Sequence, residues 1–168
     1  EIMANAIEVG VHLVNDVNAL HAPGALEVIA GSNVAICLMH MRGNPRNMQE
    51  DPHYDNVVDE VFNFLQQRVE ECVKAGIDEN RIIVDPGFGF GKSLQHNLLL
   101  LKKLKRFKEL EVALLVGVSR KSMIGAILDK PINERLIGST SLATLAAWMG
   151  ADILRVHDVA ATSDALKA

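Results

Sequence analysis

Five short runs rich in β-branched and aliphatic residues punctuate the chain: HLVNDV at 12–17, VAICLMH at 34–40, RIIVDPG at 81–87, ALLVGVS at 113–119 and DILRVHD at 152–158. Each is too evenly apolar for a strand with one wet face, so each predicts a parallel strand covered on both sides. Helical periods separate them. Val58, Val61, Phe62, Leu65, Val69, Cys72 and Val73 recur at spacings of three and four ahead of Gly76, predicting an amphipathic helix over 56–75 with the glycine as its stop. A second helix is predicted over 94–104. A third is predicted over 134–149, with Asn133 as N-cap, Gly150 as its end and small residues such as Gly138, Ser139 and Ala143 permitting close packing. Strand–helix alternation of this kind makes a parallel α/β domain, either an open doubly wound sheet or a (β/α)8 barrel.

Polar residues choose between the two. Asn15, Asp85, Ser119, Lys121, Arg155 and His157 stand at, or just past, the C-terminal ends of successive runs. An open sheet binds ligands near its switch point, whereas a barrel collects functional groups from the end of every strand. The expected fold is therefore α/β, a (β/α)8 TIM barrel, here with five strands present and the first three βα units missing. The chain opens on Glu1 inside EIMANAIEVG, which has helical character and no signal-peptide pattern, and closes on TSDALKA, the first turns of another helix. Both ends predict a piece cut from something longer.

Bulk properties exclude several functions. At 168 residues, 49% hydrophobic and 23% charged, with no repeat, low-complexity tract or linker, the chain reads as one partial domain with a packed core. A formal net charge of −4 offers no electrostatic reason for nucleic acid or an anionic membrane as partner. Apolar stretches such as 112–118 fall far short of the ~20 residues that span a bilayer. Cys37 and Cys72 lack metal-finger spacing, which fits core thiols in a reducing cytoplasm.

The glycine-rich stretch IIVDPGFGFGKS invites comparison with phosphate loops. A Walker A loop places glycine where Pro86 stands, and the dinucleotide pattern places glycine where Lys92 stands, so neither fits. What remains is a strand ending in Asp85, then a turn whose glycines let a ligand approach closely. Phe88 and Phe90 within it either plug the barrel mouth or flank a flat ligand. In LVGVSRKSMIG, residues Gly117, Ser119 and Lys121 alternate, so they share the inward face if the strand continues. Arg120, on the other parity, reads as a solvent or salt-bridge arginine. Arg155 and His157 share a face and suit an anion; equally, Arg155 could pair with an acid such as Asp158 while His157 is buried neutral. Asn15 interrupts a run that should be core and needs hydrogen-bond partners. His40, with no second ligand at metal spacing, reads as a loop-anchoring donor, and His12, His21, His53 and His96 belong to no constellation.

Taken in order on successive βα units, LMHMRGNPRNMQ, DPGFGFGKS, LLVGVSRKSMIG and RVHDV resemble the dihydropteroate synthases of the folate pathway. The resemblance runs from HLVNDV through nearly the whole chain. It implies a (β/α)8 barrel that condenses 6-hydroxymethyl-7,8-dihydropterin pyrophosphate with p-aminobenzoate, giving 7,8-dihydropteroate and pyrophosphate. It implies that Asn15 and Asp85 bind the pterin edge with Lys121 and Arg155 nearby, and that Met39, Gly117 and Phe90 line the ring's slot. Ser119, with Phe90, would lie at the aminobenzoate. Arg155 and His157 would hold pyrophosphate, and Lys121, Arg155 and His157 would be the catalytic set.

The residue types suit that chemistry. A carboxylate such as Asp85 can accept two adjacent N–H groups of an aminopyrimidine edge in parallel, and cations at Arg155 and His157 oppose the charge that builds on departing pyrophosphate. An arylamine is unprotonated at neutral pH, so no strong general base is needed. The resemblance further implies Mg2+, whose asparagine ligand belongs to a strand-1 loop outside this chain, a homodimer and a cytoplasmic location. Lacking three units, the piece is expected to be inactive and poorly folded alone. A second reading is a pterin-binding barrel without synthase activity, related to the methyltetrahydrofolate-binding barrels of methyltransferases.

Overall fold

The computed structural model describes residues 1–44 and 46–168, so Pro45 of the LMHMRGNPRNMQ motif lies outside the described residues. Five parallel strands, β1 (Leu13–Asp16), β2 (Ala35–Met39), β3 (Ile82–Asp85), β4 (Ala113–Val116) and β5 (Ile153–Leu154), pair in sequence order. A doubly wound sheet reverses its strand order at a switch point; here each crossover adds the next strand on the same side, as a barrel requires. The result is an arc of a (β/α)8 barrel. The helices are α1 (Ile2–Glu8), α2 (Ala25–Ala30), α3 (Val57–Lys74), α4 (Leu94–Lys102), α5 (Ser122–Leu128), α6 (Leu136–Trp148) and α7 (Val159–Lys167).

Every strand is shorter than its apolar run. The last residues of each run leave the ladder and become rim loops, which is why polar side chains can sit there.

The two faces of the sheet differ sharply. Ile36, Leu38, Ile82, Val84, Leu114 and Val116 point outward into a core shared with Val61, Leu65, Leu100 and Phe107 of the covering segments. The inward face holds only a small buried cluster, Cys37, Ile83 and Leu115, with Ala113 and Ile153 beside it. Both cysteines are buried free thiols, as expected. On β1 the inward Leu13 is 40% exposed, since no further described strand covers that edge.

Helix α3 matches its predicted span. The Asn56 side chain accepts from the Val58 and Asp59 amides at 3.1 and 3.2 Å, and the chain leaves through Gly76 at φ +88. Asn133 does not cap α6. Pro131 starts a 3-10 turn over Ile132–Glu134, which places Asn133 inside that turn, and the helix begins at Leu136 after Arg135 with no side-chain cap. The predicted helix over 94–104 ends at Lys102 and gives way to a 3-10 segment, Leu104–Leu110. Among the described residues no helix is long and apolar enough to cross a membrane.

Candidate active site

Asp85 is the last residue of β3 and its side chain is 1% exposed. One carboxylate oxygen accepts the Gly87 amide at 2.8 Å and the other accepts Arg155 Nη2 at 3.0 Å. The same guanidinium donates from Nη1 to Asn15 Oδ1 at 2.6 Å. Arg155 thus spans the interior from the end of β5 to β3 and β1. Gly117 makes room for it, because a Cβ there would stand 2.8 Å from Arg155 Nη2. Asn15 finds its partner in this bridge, and it is exposed because the interior is open beside it. Burial raises the Asp85 carboxyl above its ordinary value, while Arg155, the Gly87 N–H, Lys121 and Lys92 pull the other way.

The two readings of the RVHD segment divide: Arg155 is paired with an acid, but His157 is not buried. Arg155 pairs with Asp85 and not with Asp158, which instead takes Arg120 through contacts of 2.6 and 3.0 Å. His157 is exposed, not buried, with its Nδ1 at 3.0 Å from Ser119 Oγ and its amide donating to the same oxygen at 3.2 Å. Ser119 itself is buried.

Gly117, Ser119 and Lys121 do not continue as a strand. The ladder stops at Val116, the chain turns through Arg120 at φ +57, and the Lys121 amide closes the turn on the Val118 carbonyl at 3.3 Å. Lys121 still reaches the site, because the turn swings it over the Phe90 ring, 4.2 Å from its centroid, where Nζ donates to the Phe88 carbonyl. Burial lowers its pKa to about 8, with Asp85 opposing. Gly117, Ser119, Lys121, Arg155, Val156 and His157 enclose a cavity of about 170 Å³. Three of these are cationic or able to become so. Phe88 is fully buried in the core between sheet and helices, so it does not plug the barrel mouth, while Phe90 is half-buried beneath the Lys121 ammonium. Met39, fully buried, pairs in register with Asp85.

The glycine turn carries groups that pattern reading missed. The Lys92 ammonium is 3% exposed and points beneath the loop, at 2.9 Å from His40 Nδ1 and 3.0 Å from the carbonyls of both Gly87 and Phe90. With the His40 carbonyl at 3.4 Å as a longer fourth acceptor, these three satisfy its three N–H donors, although burial draws its pKa down to about 7. His40 is therefore an acceptor toward Lys92 and not the donor expected. Burial and the neighbouring cations lower its pKa to about 2, which leaves Nδ1 a free lone pair. Asn97 Oδ1 accepts the Gly89 amide at 2.7 Å, and the Tyr54 hydroxyl donates to the Gly91 carbonyl at 2.8 Å. A polar Asn97 inside the otherwise leucine-rich LQHNLLLLK was the one legible sign that something inward needed a partner. Among the described residues, no group of three or more His, Cys, Asp or Glu side chains gathers to hold a metal ion.

Comparison with known proteins agrees with this geometry. The sequence profile described as "Pterin binding enzyme" matches residues 1–157. The chain is 54% identical to the dihydropteroate synthase of Haemophilus influenzae over 166 residues, covering 99% of this chain and 60% of that protein. The Yersinia pestis dihydropteroate synthase, solved as a sulfonamide drug complex, superposes with a TM-score of 0.95 at 47% identity, covering 99% of this chain and 60% of that one. The Xanthomonas albilineans enzyme, solved with 7,8-dihydropteroate, gives 0.92 at 47% identity, covering 99% and 62%. The chain thus spans about 60% of the length of the proteins it matches. With a strand-end carboxylate, a bridging arginine and a cation-lined cavity in the arc those proteins share, the chain belongs to the pterin binding enzyme family.

Proposed function

We propose that this chain supplies the pterin floor and the pyrophosphate cradle of a dihydropteroate synthase of the folate pathway. The observation that carries the reading is the Asn15–Arg155–Asp85 bridge beside a cavity lined by Lys121, Arg155 and His157. An ionised carboxylate offers about four lone-pair positions; the Gly87 amide and Arg155 use two, leaving two for adjacent N–H groups of a dihydropterin. Met39, Gly117 and Phe90 border the ring, and Ser119 with Phe90 receives p-aminobenzoate.

In the step itself the C–O bond between the pterin methylene and pyrophosphate breaks, with its electron pair going to oxygen. The lone pair of the aminobenzoate nitrogen forms the new C–N bond, and that nitrogen then releases one proton to solvent. Lys121, Arg155 and His157 hold the departing diphosphate and offset its growing charge in place before the reaction, the condition under which electrostatic stabilisation is most effective. Asp85, held by two fixed donors, keeps the pterin from rotating as the bond breaks.

Magnesium belongs to the same proposal only as a companion of pyrophosphate. Its protein ligand would come, as the resemblance implies, from the part of the barrel outside this chain. A homodimer is also proposed, through α6, whose outer face exposes Ile137 at 79% and Trp148 at 83%; light scattering giving a monomer would remove it. Two buried free thiols support a reducing, cytoplasmic setting.

The test is an assay of the full-length gene product for 7,8-dihydropteroate from the pterin pyrophosphate and p-aminobenzoate. Product formation is expected. Pterin binding without product would instead favour a binding barrel lacking synthase activity.

A further inference from the structure

Five consecutive carbonyls of the glycine loop are each taken by a side chain. Lys92 takes those of Gly87 and Phe90, Lys121 that of Phe88, Gln49 that of Gly89 and Tyr54 that of Gly91. Three of the four donors reach in from outside the pattern that defines the loop. Lys92 holds two of the five and also reaches His40, which follows Met39 directly and whose amide donates to the Asp85 carbonyl at 3.0 Å. One ammonium therefore ties the end of β2 at Met39 and His40 to the start of the loop behind Asp85 and to the backbone of Phe90. Those are the three side chains that border the pterin in the function proposed above.

The opposite half of the site hangs from other supports. Ser119 and His157 bond to each other, and the backbone between Ser119 and Lys121 is held by Ser139, Arg135 and the Arg120–Asp158 pair. None of these touches Lys92 by a hydrogen bond or ion pair in the described residues. An ammonium with three tetrahedrally disposed donors suits this junction, where a planar guanidinium does not.

We propose that Lys92 is a positioning residue chiefly for the pterin: it sets the spacing of Met39 and Asp85, and of Phe90 where that ring borders both substrates, while leaving the Ser119–His157 side of the aminobenzoate half untouched. The lysine that resembles a nucleotide-loop lysine in sequence thus acts from beneath the loop, on protein backbone and not on phosphate. The inference rests on the proposed function and is separable from it.

In the full-length gene product, Lys92→Met should raise KM for the pterin pyrophosphate about tenfold and leave KM for p-aminobenzoate within about twofold. A merely structural loss would lower the active fraction and leave both KM values in place; either that pattern or an equal rise in both KM values would overturn the proposal. Should Lys92→Met fail to fold, two variants at its partner carry the test. His40→Leu removes the acceptor and should raise the pterin KM about threefold, whereas His40→Asn, whose Oδ1 can stand where Nδ1 stands, should restore it. Equal values for the two would overturn the proposal. If the wild-type protein neither binds the pterin nor forms product, the functional reading fails first; if it does both and Lys92→Met behaves identically, only this inference fails.

Discussion

The loops that follow β3 and β4 turn at the same rim and aim polar groups into the same interior, yet they are built differently. After β3 the turn is made by Gly87, Gly89 and Gly91, all at positive φ, and its carbonyls are bonded from several elements at once. After β4 the turn is made by a non-glycine, Arg120 at φ +57, a conformation that costs about 1–2 kcal/mol for an L-residue. That cost is offset where the Arg120 amide meets buried Ser139 Oγ at 2.9 Å and its carbonyl takes Arg135 Nη1 at 3.0 Å. The first loop is fixed by close backbone approach over a buried lysine, the second by α6 and the start of α7. The loop after β3 should therefore tolerate little change in its own backbone, and the loop after β4 should respond to changes in the helices that hold it.

The largest effect that would break this contrast lies at Gly87. A Cβ there would fall inside the His40 carbonyl oxygen while the backbone sits at φ +70, and two backbone segments cannot both give way. Gly87→Ala should cost about 3 kcal/mol or more in urea unfolding. A cost below about 1 kcal/mol would mean the loop is not fixed in this way. Gly117→Ala is the matched contrast: its Cβ meets the Arg155 guanidinium, a side chain that can shift where a backbone cannot, so the cost should be smaller than at Gly87 and come from displacing the Arg155–Asp85 pair.

A smaller effect is expected at Ser139, whose hydroxyl accepts the Arg120 amide and donates to the Arg135 carbonyl at 2.6 Å. Ser139→Ala should cost about 1 kcal/mol of stability and raise KM for p-aminobenzoate while sparing the pterin, the mirror of Lys92→Met. If both substrates suffered alike, the two halves would not be independent.

The smallest effect is a pH trend. Lys92 and Lys121 have folded pKa values lowered to about 7 and about 8, against 10.5 as the ordinary value. Between about pH 7 and 10.5 the unfolded chain binds more protons than the folded one, so stability must rise with pH there and flatten below about 7. The urea midpoint at pH 8.5 should exceed that at pH 7, and Lys92→Met should remove part of the rise. A midpoint that falls over that interval would contradict the burial of these ammonium groups.

Much of this architecture was legible in the sequence, and the exceptions are instructive. The five apolar runs announced parallel strands because β2, β3 and β4 are covered on both faces, although the inward Leu13 of β1 stays 40% exposed, and Asp85 stood out as an acid at the end of such a run. Arg155 could not be resolved by spacing, because its partner lies 70 positions away and nearby Asp158 was an equally good candidate on paper. Lys92 looked like part of a phosphate-loop pattern, and nothing local told which way it turned; only the apposition of two strand ends shows that it faces inward. The left-handed Arg120 depends on tertiary bonds to Ser139 and Arg135, which one-dimensional periodicity does not carry, whereas the 3-10 turn that absorbs Asn133 is local, closed by the Glu134 amide on the Pro131 carbonyl.

The central claim is that Asp85, held by Gly87 and Arg155, orients a pterin. Calorimetric titration of 6-hydroxymethyl-dihydropterin pyrophosphate into the full-length protein and its Asp85→Ala variant tests it directly. The account predicts a loss of roughly 1.5–3 kcal/mol in binding, the contribution of a charge-assisted hydrogen-bonded pair. Equal affinity in the two proteins, with both folded, would contradict it.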